Sequence, residues 1–201
     1  MGQRGRRKGS IGIKSKEAIL MVAAEEFAEH GFHQTKISTI VKRTGLTQPS
    51  FYLYFSGKEA IFQELVHTFR NELINLTKDS RLESSLDNSV LPSNIVSGLI
   101  KLFEFFYNHQ HLTRIGFYIA DESEEIKQAM KEHLTENLLA EQRDNYFRED
   151  LDMETVAECI IGAIGRLTIK KLFTNEKSPQ QLANEIVDIY FYGLQNRETM
   201  H

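Results

Sequence analysis

Tryptophan is absent from this chain, cysteine occurs once, and proline appears only three times in 201 residues. The single thiol, Cys159, excludes an internal disulfide and gives no reason to expect an oxidising compartment. It stands beside Ile160, Ile161, Gly162 and Ala163, a setting that predicts a small buried apolar side chain rather than a reactive thiol. No apolar run approaches the about 18 residues of a membrane span. The basic start, Met1 to Gly9, resembles the opening of a signal peptide, but no apolar stretch follows within reach. The expectation is a cytoplasmic protein without membrane association.

Enzyme signatures are missing too. The chain has no Gly-x-Ser-x-Gly, no phosphate-cradling glycine loop, no His-Glu-x-x-His and no cysteine pairs. His109 and His111 are two apart, so on a helix they face different ways and do not share a metal. No catalytic residue, metal site or cofactor is expected. What is present is ordinary globular material, 41% hydrophobic and 26% charged, which excludes a disordered chain. With few helix breakers, the composition points to helix.

Charge is unevenly placed. Residues 1–58 hold ten Lys and Arg against four acids, a balance of +6, and the remaining 143 residues carry −10. A basic opening segment followed by an acidic remainder reads as two modules, the first of which meets a polyanion. The other reading of the tail is an aid to solubility.

Helical spacing and capping residues divide the chain further. Residues 1–14 form a basic, flexible arm. Ser15 caps a first helix on which Ile19, Ala23 and Phe27 share one face; Gly31 stops it in the left-handed conformation, and Phe32 folds back onto its last turn. A second helix follows Thr35 and stops at Gly45. Thr47 is a natural N-cap for a third, with Pro49 tolerated in the first turn because the amides there are unpaired. Two short helices around a tight glycine turn, after a longer one, read as a helix-turn-helix. A long helix runs from Lys58 to about Leu76, and Asp79 to Asn94 form a polar loop. Further helices are predicted over Ile95–Tyr107, around Ile115–Ile119, through Ile126 to Phe147, from Met153 (capped by Asp152) to Phe173, and from the capping box Ser178–Gln181 to about Gln195. The result is an all-α chain of about nine helices: an arm at 1–14, a DNA-binding domain at 15–60 and a larger domain at 61–201.

The last two helices are apolar on more than one face, whereas a surface helix needs only one stripe. The second face is buried either within one large core or against a second copy of the chain. A symmetric four-helix contact meets the need most simply, and its candidates are Ile161, Gly165, Ile169, Ile186, Ile189 and Tyr190.

Residues 15–62 resemble the DNA-binding domain of the tetracycline-repressor (TetR) family of bacterial regulators. The resemblance runs through Ala18-Ile19-Leu20, Ala23-Ala24, Phe27, Gly31-Phe32, Thr35, Ile40-Val41, Gly45-Leu46-Thr47, Phe51-Tyr52, Tyr54-Phe55, Lys58-Glu59 and Ile61-Phe62. Two departures are Pro49, where glycine is common, and Leu53, where the family often has a polar or aromatic DNA-contacting residue. The resemblance implies a homodimeric repressor that binds a palindromic double-stranded DNA operator and is released by a small lipophilic effector. It also places Tyr52 near phosphate and makes Lys58 the phosphate clamp.

The residues themselves agree with a recognition helix. Gln48 can pair bidentately with adenine, and Ser50 can serve either base type. Thr47 and the free amides behind it suit a phosphate oxygen. Leu53 can touch a thymine methyl, Tyr52 and Tyr54 carry hydroxyls on rigid arms, and Thr35 and Lys36 open the supporting helix against the same backbone. Arg4, Arg6 and Arg7 reach the adjacent minor groove or form a loose phosphate-seeking tail. In the larger domain, Phe103, Phe106, Tyr107, Phe117, Tyr118, Met130 and Leu134 are candidates for the wall of an effector cavity, with Glu104, His109, Arg114 or Asp121 as polar anchors; packing into the core is the competing use of each. A different class of function remains: a ligand-independent DNA-associated protein whose larger domain recruits a protein partner. An enclosed apolar cavity favours the effector, a filled core with an exposed patch the partner.

Overall fold

The structure, a computed structural model, describes residues 6–83, 87 and 89–194, with side chains from residue 12 onwards. Among these residues there are nine α-helices and no strand: α1 (Arg6–His30), α2 (Ile37–Thr44), α3 (Gln48–Tyr52), α4 (Lys58–Asp79), α5 (Leu91–Asn108), α6 (Gln110–Arg114), α7 (Ser123–Arg143), α8 (Met153–Leu167) and α9 (Pro179–Tyr192). Two stretches are wound more loosely as π-helix, Ile115–Ile119 after α6 and Thr168–Leu172 after α8. The all-α expectation is met.

The chain divides into two compact units, Met1–Arg70 with His111–Ser123, and Asn71–Gln110 with Glu124–His201. In the first, Ile19, Ala23 and Phe27 of α1 are fully buried, as their spacing of four requires. Gly31 takes φ 80° and Gly45 φ 70°, so both stops are left-handed turns that a side chain would strain. Phe32 does fold back: its ring lies 5.6 Å from Phe27 and 5.0 Å from Phe62, and Phe27 meets Phe62 edge-on at 5.3 Å. Arg43 ties α2 to α1 through both carboxylates, at 2.7 Å from Glu26 and 2.6 Å from Glu25, and these partners hold its guanidinium above the ordinary arginine range. The π-helical turn at 115–119 packs against α1. Its Gly116 presses on the Phe69 ring so closely that an added Cβ would fall 2.1 Å from Phe69 Cδ1.

The second unit is held by α5 against α9, with α5 also meeting the turn at 168–172. Asp152 caps α8 by accepting from the Glu154 and Thr155 amides, each at 3.3 Å. Ser178 and Gln181 complete the capping box of α9, at 3.2 and 2.9 Å.

Several boundaries move. α1 begins at Arg6, so residues 6–14 continue the helix and Ser15 does not cap it; Arg4, and the side chains of Arg6 and Arg7, lie outside the described residues. α5 starts at Leu91 with Pro92 in its first turn, a position where the missing N–H costs nothing. α7 ends at Arg143 rather than Phe147, because Asn145 turns left-handed at φ 63°. α9 ends at Tyr192 on Gly193, while Gln195 lies outside the described residues.

Candidate functional site

Five residues make up α3, too few to be stable alone. Thr47 caps it, its Oγ1 accepting the Ser50 N–H at 3.3 Å and lying 2.8 Å from Ser50 Oγ. Phe51 is the anchor: fully buried, with its ring 6.4 Å from that of buried Phe55. With that face held inward, Thr47, Gln48, Tyr52 and Leu53 stand exposed, and Ser50 and Tyr54 are half-buried. Leu53 is 81% exposed, an apolar side chain given to water at the end of a polar helix. The structure thus brings six of the nine expected DNA-facing residues to one short segment, and Lys36 is exposed at the N-cap of α2.

The other two have internal tasks. Thr35 is 2% exposed, and its hydroxyl donates to the carbonyls of Gly31 (2.9 Å) and Glu26 (3.1 Å), closing the turn between α1 and α2. It cannot also serve phosphate with that proton. Lys58 was expected to clamp phosphate. Instead its Nζ donates to the carbonyls of Phe32 (2.9 Å), Thr35 (3.2 Å) and His33 (3.3 Å) and sits 4.6 Å above the Phe32 ring. An ammonium has three protons, and three carbonyls take them.

The second unit holds a partly open cavity of about 550 Å³, within the size range of small-molecule sites. Met130 and Leu134 line it as expected. Phe103, Phe106, Tyr107, Phe117 and Tyr118 do not. Phe103 and Phe106 are fully buried core residues; Tyr107 is exposed and donates its hydroxyl to Asn175 at 3.0 Å; Phe117 packs on Phe69 in the first unit, with the half-buried Tyr118 beside it. Helical spacing marks apolar residues without saying which face meets empty space. The four expected polar anchors are likewise absent from the wall. The wall comes instead from Leu76, Leu99, Leu102, Ile160 and Ile164, together with the α7–α8 connection through Phe147 and Leu151.

Its polar lining is sparse and internally bonded. Thr77 Oγ1 donates to Leu73 O (2.8 Å), Ser80 Oγ and Asn137 Nδ2 donate to Thr77 O (2.7 and 2.9 Å), and the Tyr146 hydroxyl donates to Glu83 O (3.0 Å). The charged lining residues are Arg148, whose side chain is 71% exposed, and Glu141. Glu141 is 5% exposed, accepts the Leu82 N–H at 3.1 Å, and burial pushes its carboxyl above the ordinary glutamate value, opposed by the Leu82 amide and by Arg81. Sequence reasoning missed it because a glutamate among polar neighbours on a long helix reads as solvated.

Of the residues expected at a dimer contact, Ile161 and Ile186 are buried within the chain itself, and Ile186 reaches the cavity. Gly165 and Ile169 are half-buried, while Ile189 and Tyr190 are 52% and 41% exposed. Cys159, expected inside, is exposed on α8. Beside it, a Cβ added to Gly162 would meet nothing within 4 Å. Among the described residues no cluster of acidic, histidine or cysteine side chains could hold a metal, and no helix is long and apolar enough to cross a membrane.

Comparison with known proteins follows the same division. Residues 19–65 match the family model described as bacterial regulatory proteins, tetR family. The chain is 44% identical over 185 residues to the uncharacterized HTH-type transcriptional regulator YdgC of Bacillus subtilis, covering 92% of this chain and 95% of that one. It is 23% identical over 187 residues to the fatty acid metabolism regulator protein of the same organism, covering 89% and 95%. Among solved structures, the transcriptional regulator FadR from Bacillus subtilis in complex with stearoyl-CoA superposes with a TM-score of 0.67 at 21% identity, over 89% of this chain and 99% of that one. That likeness shows the fold.

Proposed function

Since the chain belongs to the TetR family of bacterial transcriptional regulators, we propose that it is a repressor that binds a palindromic operator as a homodimer and leaves it when a lipophilic small molecule fills the cavity of the second unit. The observation that carries the DNA reading is α3 itself: a helix too short to stand alone, capped by Thr47 and anchored by Phe51, with Thr47, Gln48, Tyr52 and Leu53 in water. Such a segment lies in the major groove, where Gln48 reads a base edge and Leu53 offers a methyl contact to thymine. Thr47, Lys36 and Tyr52 supply the phosphate contacts. In the dimer, the exposed side chains of α8 and α9, Ile189 and Tyr190 among them, meet their symmetry copies, and two recognition helices read two half-sites.

The cavity supports an effector rather than a recruited protein. Its lining residues are mostly aliphatic and aromatic, suited to a long hydrocarbon chain. The relative that regulates fatty acid metabolism, and the neighbour bound to stearoyl-CoA, make a fatty-acyl compound the first to try. An effector releases DNA only if it binds the DNA-free arrangement more tightly than the bound one.

The test is a binding assay on a genomic fragment library, repeated with long-chain acyl-CoA. A palindromic fragment retained at low salt, lost steeply as salt rises, and released by the acyl compound is the expected result. A monomer with no affinity for any duplex would end the proposal.

A further inference from the structure

Apolar walls determine that a ligand is lipophilic; they do not determine which end of it is admitted. Two charged side chains line the cavity of the second unit: Arg148, whose side chain is 71% exposed and lies 3.4 Å from the Asp150 carboxylate, and Glu141, the one of the two that is buried. The hydroxyl protons of Thr77, Ser80 and Tyr146, and one of the two amide N–H groups of Asn137, are directed to backbone carbonyls. Glu141 lines the same space. Among the described residues one of its oxygens accepts the Leu82 N–H and no other hydrogen bond reaches the carboxylate. A buried carboxylate with an open acceptor position attracts a donor and repels another anion, and the repulsion grows where water is excluded.

We propose that Glu141 selects the effector by charge: the cavity takes a lipophilic molecule that presents a hydrogen-bond donor or a positive charge to this carboxylate, and turns away the free fatty-acid anion. The inference rests on the cavity being the effector site. An acyl chain joined to an amide-bearing carrier satisfies it, because the amide N–H is a donor and the ester-type linkage carries no charge. A long-chain amine or alcohol satisfies it as well. The unesterified acid does not, since its carboxylate has to leave water to face a second one.

Three probes of equal length separate these cases: dodecylamine, dodecanol and dodecanoate, titrated calorimetrically against the full chain below their micelle concentrations. At about pH 8 dodecanoate is ionised and the amine is protonated. The expected result is that the amine and the alcohol each bind at least about tenfold more tightly than dodecanoate, and that Glu141→Gln reduces the preference to about threefold or less. Glutamine keeps an acceptor for the Leu82 N–H, removes the charge and puts an NH2 donor where the second carboxylate oxygen was. Dodecanoate binding as well as the amine, or a preference unchanged in Glu141→Gln, overturns the role of Glu141 and leaves the cavity as effector site. Failure of all three to bind overturns the cavity assignment and the inference with it. The wild-type ranking stands as a test by itself if the variant does not fold.

Discussion

Lys58 Nζ lies 2.9 Å from the Phe32 carbonyl and 4.6 Å above the Phe32 ring, so the first residue of α4 closes the turn that leaves α1. The contact joins elements 26 positions apart and positions the start of the helix-turn-helix. A lysine at this place looks, by sequence, like a phosphate contact. Its geometry makes it a carbonyl cap.

Replacing Lys58 by Met is therefore expected to lower stability by about 1–2 kcal/mol, since three carbonyls lose their donor and recover only part of it from water. The slope of log affinity against log salt is expected to stay as in the wild type. Thermal unfolding and a salt titration of operator binding check both. A slope smaller by about one would return Lys58 to the phosphate.

Gln48 stands exposed at the first position of α3 and is expected to read a base edge. Gln48→Ala should relax preference at one base pair in each half-site, by about 1–3 kcal/mol of discrimination, without changing the salt slope. An in vitro selection with both proteins measures this, and identical base preferences would refute it.

Gly116 has no room for a side chain. An alanine Cβ there would fall 2.1 to 2.9 Å from three atoms of the Phe69 ring, and Phe69 is fully buried. Gly116→Ala is expected to destabilise by about 1–3 kcal/mol or more through overpacking. Gly162→Ala, where the same addition meets open space, is its control in the isolated chain. Equal melting temperatures for the two variants would contradict the packing described.

Leu134 lines the cavity and is half-buried. Leu134→Trp fills that space, so DNA binding is expected to persist while release by the acyl compound weakens by at least about tenfold. The chain has no other tryptophan, so its fluorescence reports occupancy directly. Undiminished release would place the effector elsewhere.

Stability should follow the Glu141 carboxyl with a definite sign. Burial raises its folded pKa above the ordinary 4.5, so the native state holds the proton where the unfolded chain has lost it. Wild-type stability relative to Glu141→Gln therefore falls as pH rises from 4.5 through the raised value. Asp152 and Asp87, whose carboxyls are lowered by hydrogen bonds, act in the opposite direction below 3.8 in both proteins, so the difference between the two unfolding curves isolates Glu141. A difference that does not change with pH would rule the assignment out.

The order of helices, the caps at Thr47, Asp152 and Ser178, and the left-handed stops at Gly31 and Gly45 were legible from the amino acids alone, because each is decided within four or five residues. So was the exposed edge of α3, since Phe51 and Phe55 announce the face that must turn inward. The uses of Thr35, Lys58, Phe103, Cys159 and Glu141 were not. Each depends on what a distant segment places opposite it: a carbonyl from another turn, a filled core, open water, or an empty space between helices. Local pattern records that a side chain is apolar or charged. Only the packing of helices far apart in sequence decides which apolar face is left without a neighbour and which carboxylate is taken out of water.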